Sequence, residues 1–106
     1  MQMLSAAGEL VKYSDRGGWV QPRRLHSVYY ADVSAYACNC KRNSADKLPR
    51  SEVMDALRRL QDHCGVGIAG RVFSRKWQKS YEWQLKDKVD DTHKRKRLCP
   101  RNCVKH

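Results

Sequence analysis

Arg71, Arg75, Lys76 and Lys79 cluster in and around a basic loop, 74–80, whose one aromatic is Trp77. Cations interleaved with a ring suit a polyphosphate: the cations meet phosphate oxygens and the ring stacks on a base. A second set lies upstream. Arg50 and Ser51 stand at the expected start of a helix, where a side chain and backbone N–H groups together can hold a phosphate. Arg58 and Arg59, further along, could reach guanine edges bidentately. Asp55 lies four residues before Arg59, and Asp62 four after Arg58, so intrahelical ion pairs compete with that use. A third set, Lys94, Arg95, Lys96 and Arg97, is a continuous basic run fit for a nucleic-acid arm or a nuclear localisation signal.

The cysteines could carry different chemistry. Cys38 and Cys40 form one close pair and Cys99 and Cys103 another. Tetrahedral zinc takes four such ligands, usually as two pairs with two to four residues between the members of each. The tail pair meets that spacing and the first pair does not, so zinc is the minority expectation and no cofactor the main one. Cys64 falls on an apolar helical stripe and reads as a core thiol. No Gly-rich phosphate loop, nucleophile elbow, His-Glu-x-x-His or paired carboxylates occur, so no enzymatic site is expected. Gly65, Gly67 and Gly70 match Gly-x-Gly-x-x-Gly, but after a helix and before a strand, the reverse of the dinucleotide-binding order.

Composition sets the class of partner. The 106 residues make one small domain with a formal net charge of +11. An excess of one sign opposes compaction by self-repulsion and usually has a partner of the other sign. Nucleic acid is the first candidate and an anionic surface the second. No apolar run approaches the ~20 residues of a membrane span, and no secretory signal pattern opens the chain. The five cysteines, without such a signal, read as reduced thiols in the nucleus or cytoplasm. A mitochondrial leader is the alternative, opposed by Glu9 and Asp15.

The positioning elements follow from periodicity. Val53, Leu57, Leu60 and Cys64 step along one helical face after Pro49, and Gly65 suits the cap. Tyr81, Trp83 and Leu85 alternate with polar residues as in a half-buried strand, and Val66, Ile68 and Val72 share one parity as its partner. A short helix is expected from Ser5 as N-cap to about Ser14, then a brief extended piece at Trp19–Gln21. Leu25, Val28, Tyr29, Asp32, Val33 and Tyr36 step at three and four, which predicts a second helix from Pro22 to about Cys38 or Cys40. Residues 41–47 form a polar loop.

Helix, glycine, strand, basic loop and second strand resemble, in that order, the recognition helix and wing of a winged helix-turn-helix domain, over roughly residues 4–86. The resemblance implies an α+β fold: a small winged-helix domain with three helices, a two- to three-stranded antiparallel β-ribbon and a basic C-terminal tail at 87–106. It implies nucleic-acid binding, DNA before RNA, through Arg50, Ser51, Arg58, Arg59, Arg71, Arg75, Lys76, Trp77, Lys79 and the tail residues 94–97. The alternatives are a structural subunit of a ribonucleoprotein and a protein–protein interaction module.

Overall fold

The computed structural model describes residues 2–85, in the order α1 (Gln2–Asp15), β1 (Leu25–Tyr30), β2 (Val33–Asn39), α2 (Arg50–Cys64), β3 (Gly70–Ser74) and β4 (Lys79–Leu85). The four strands form one antiparallel sheet in the order β1-β2-β4-β3. The chain thus runs twice through helix, strand, strand, and the two hairpins meet along β2 and β4.

Both helices lie on one face of the sheet. Directly paired residues point the same way, so Val33, Ala35, Ala37, Tyr81 and Trp83 share a face. They pack with Met3, Ala6, Ala7, Leu10 and Val11 of α1 and with Val53, Ala56, Leu57 and Leu60 of α2. Trp83, fully buried, donates from Nε1 to the Met3 carbonyl at 3.1 Å, which satisfies the one polar atom of the largest core side chain. The other face carries Leu25, Tyr36 and Cys38, with Phe73 against them. Arg71 and Glu82 are direct partners there, joined Nε to Oε1 at 2.7 Å.

This architecture overturns the winged-helix expectation. The described residues form two helices and a four-stranded antiparallel sheet, not three helices with a two- to three-stranded ribbon. The predicted helix over 22–40 is the β1–β2 hairpin. All seven residues of β2 are buried, because it is a central strand covered on both faces. Such a strand shows no polar alternation, and its tyrosines, valines and alanines fall at helical spacing as readily as at strand spacing. The β-branched and aromatic content of 28–36 was the better indicator. Trp19–Gln21 contributes only an isolated bridge, Val20 to Asp46.

Other elements lie close to expectation. α2 runs over 50–64 with Pro49 as its N-cap, and the Gly65 N–H caps it onto the Gln61 carbonyl at φ 100°. The β3–β4 hairpin is present, but β3 starts at Gly70, so Val66 and Ile68 stand exposed in a loop. α1 starts at Gln2, which puts Ser5 inside the helix. Cys64 is free and exposed, not a core thiol. The expected tail, 87–106, lies outside the described residues.

The β1–β2 hairpin closes through two residues, since Tyr30 pairs directly with Val33. Two-residue hairpin loops need positive φ, and Ala31 supplies it at φ 54°. A left-handed conformation costs an L-residue about 1–2 kcal/mol, offset in part by the larger entropy loss of glycine. Ala31→Gly should therefore raise the unfolding free energy by up to about 1 kcal/mol, read from the urea midpoint at unchanged slope.

Candidate nucleic-acid interface

Three connecting segments converge at one end of the sheet, beside the C-terminus of α1 and the start of α2. They are 16–24, which enters β1, 40–50, which joins β2 to α2, and 75–79, the β3–β4 turn and the start of β4. Backbone pairing fixes them. Val20 and Asp46 exchange N–H···O bonds at 2.7 and 3.0 Å, and Cys40 N–H donates to the Gln78 carbonyl at 2.8 Å. Asn39, fully buried, ties the first two segments together. Its amide nitrogen donates to the carbonyls of Val20 (3.0 Å) and Ser44 (2.7 Å), and its backbone exchanges bonds with Arg23 and Arg24. The Leu48 N–H donates to Ser14 Oγ at the end of α1.

A buried ion cluster anchors the third segment. Lys79 is 1% exposed. Its ammonium donates to the Lys47 carbonyl at 2.8 Å and lies 2.5 Å from Glu52 Oε1 and 3.2 Å from Asp46 Oδ2. Tyr81 donates its hydroxyl to the same Glu52 oxygen at 3.1 Å, and Lys41 pairs with Asp46 while also donating to the Trp77 carbonyl. Burial of the Asp46 carboxyl opposes its ionisation, but the Lys41 hydrogen bond and the Lys79 charge win and hold it below its ordinary value. Burial, then the Glu52 charge, push the Tyr81 phenol well above the ordinary range, so it stays a donor.

Charge is segregated by this arrangement. The three segments carry ten cations and one carboxylate, Asp46. Elsewhere in the described residues stand four Lys or Arg, and each has an acidic partner: Lys12 with Glu9, Arg58 with Asp55 and Asp62, Arg59 with Asp55, and Arg71 with Glu82. At the basic end Lys41 and Lys79 are paired, while Arg16, Arg23, Arg24, Arg42, Lys47, Arg50, Arg75 and Lys76 are exposed.

The residues expected from sequence are dispersed accordingly. Arg50, Ser51, Arg75 and Lys76 are exposed at this end. Lys79 is beneath it, a structural cation. Trp77 is half-buried, edge-on to Tyr81 at 6.1 Å between centroids, with the Arg59 guanidinium 5.4 Å from its ring centre. Arg58 and Arg59 are engaged along α2 as the spacing of their acids foretold. Arg71 points to the face away from the helices; burial disfavours its charge, but Glu82 outweighs that and raises its pKa. Residues 94–97 lie outside the described residues. Arg16, Arg23, Arg24, Arg42 and Lys47 were missed, because only the topology brings their segments together. The density of charge in 41–50 was visible without it.

For zinc, Cys38 and Cys40 are disulfide-bonded, where reduced thiols were expected, and Cys99 and Cys103 lie outside the described residues. Among the described residues no group of three or more His, Cys, Asp or Glu could hold a metal. No helix among them is long and apolar enough to cross a membrane.

Breaking a buried ion pair costs about 3–5 kcal/mol, an upper bound here because Asp46 keeps Lys41 as a partner and neither carboxylate is fully buried. Lys79→Met should destabilise by up to that amount, and adding Glu52→Gln should recover part of it, as denaturant titration would read. Asp46 has its folded pKa depressed, so its contribution is present above the unfolded value of about 3.9 and disappears as pH falls through the lower folded value. Asp46→Asn should therefore flatten the loss of stability below about pH 4. Compared with family models, with curated proteins and with solved structures, the chain matches none.

Proposed function

We propose that this protein binds nucleic acid through the basic end of its sheet, the contacts being made to the phosphate backbone. The observation that carries the reading is the segregation of charge. Seven exposed cations (Arg16, Arg23, Arg42, Lys47, Arg50, Arg75 and Lys76) have no acidic partner among the described residues, whereas the four described cations away from that end are all paired. Solubility alone gives no reason to gather one sign at one end, and the repulsion is relieved by a polyanion. Lys and Arg on loops reach phosphates without demanding a groove geometry. DNA is the first ligand to try and RNA the second. α2 is no reading helix in this proposal, because its mid-face arginines face their own acids.

If about six phosphates are neutralised, affinity should fall on the order of a thousandfold between 50 and 200 mM salt. Arg42→Gln and Lys76→Gln should each weaken all sequences alike and reduce the salt slope by about one. Arg58→Gln should leave both unchanged. Fluorescence anisotropy at several salt concentrations reads all three, and an affinity flat with salt would remove the proposal.

A further inference from the structure

Beside the basic end lies a groove of about 320 Å³ whose walls include Tyr13, Trp19, Gln21, Arg24 and His26. Its volume is at the lower end of the ~300–1,000 Å³ typical of small-ligand sites. Three of its lining residues carry rings. Tyr13 and His26 are stacked at 3.6 Å between centroids and 16° between planes. Trp19 is 49% exposed, so about half of this ring is open to a ligand. The Lys47 ammonium sits 5.0 Å from the centre of the Trp19 ring.

The chain is built to hold Trp19 there. The Tyr13 hydroxyl donates to the Trp19 carbonyl at 2.7 Å. Gly18, before it, passes so close to α1 that a Cβ would lie 2.6 Å from the Tyr13 carbonyl oxygen. Val20, after it, is locked to Asp46 on both sides. The backbone either side of the exposed ring is therefore fixed, although the ring itself adds little to the core. A ring presented on rigid backbone, with a cation over it and an exposed amide, Gln21, beside it, has the parts a nucleobase needs: a stacking surface, a nearby charge for the phosphate and a hydrogen-bonding edge.

We infer that this groove receives an unpaired nucleobase, stacked on Trp19, while the surrounding cations hold the flanking phosphates. The inference rests on the nucleic-acid reading above and narrows its substrate class to single-stranded or locally opened strands, since a base inside a duplex cannot reach the ring.

The test compares a short single-stranded oligodeoxythymidylate with a backbone of the same length in which every base is replaced by an abasic site, by anisotropy at low salt. The wild-type protein should bind the base-bearing strand more tightly by between about fivefold and a hundredfold, the range for one stacked base. Trp19→Ala should abolish that preference while leaving abasic affinity unchanged, and Trp19→Phe should restore most of it. Equal wild-type affinity for the two strands would overturn the base pocket and leave the phosphate reading standing. A preference that survives Trp19→Ala would also overturn it. Binding of neither strand would remove both.

Discussion

The Lys79 ammonium, enclosed between Asp46 and Glu52 and capped by the Lys47 carbonyl, is the constraint on which the arrangement of loops depends. An ammonium out of water costs several kcal/mol unless its donors and its charge are all answered. Lys79 has three donors and three acceptors, one each from two side chains and one backbone carbonyl. Those acceptors belong to the 40–50 segment and the first turn of α2, while the lysine belongs to the start of β4. Any drift of the loop from the strand would leave a buried charge exposed to nothing. Such a cluster adds little net stability over an apolar one; its consequence here is that three parts of the chain have one relative position.

That position is electrostatically expensive on its outer side. The same segments that bury Asp46 against lysines project eight exposed cations around it. Asp46 and Glu52 already have partners in Lys41 and Lys79. They are therefore not left over to balance the exposed cations. Away from it the pattern reverses: arginines on α2 and β3 sit against their own acids, and the field there is closer to neutral. Among the described residues the charge is thus polarised from one end of the sheet to the other, the kind of field that steers a polyanion to one surface.

Some of this was legible in the residues. Pro49, the apolar stripe to Leu60 and Gly65 delimit α2 almost to the residue, since caps and periodicity are local properties. Tyr81 and Trp83 alternating with Glu82 and Gln84 gave β4. The β1–β2 hairpin was not legible as a strand pair because β2 is buried on both faces, and burial on both faces erases the alternation that marks a strand. That error replaced half the sheet with a helix and suggested the wrong fold. Lys79 read as a surface cation because its partners, Asp46 and Glu52, are distant in sequence and meet it only through the topology. Arg75, Lys76, Arg50 and Ser51 stand out in the sequence and lie exposed at this end, whereas the placement of Arg23, Arg42 and Trp19 beside them follows only from the convergence of the loops.

In the proposed reading the converging loops and the first residues of α2, and not the rest of α2 or the 65–70 loop, meet nucleic acid. Backbone amide shifts followed by heteronuclear NMR during titration with a single-stranded oligonucleotide test it most directly. The account predicts perturbations at 16–24, 41–51 and 75–78, with 31–32, 58–64 and 66–70 unmoved. Shifts concentrated on 58–70, or none at concentrations that saturate the anisotropy signal, would contradict it.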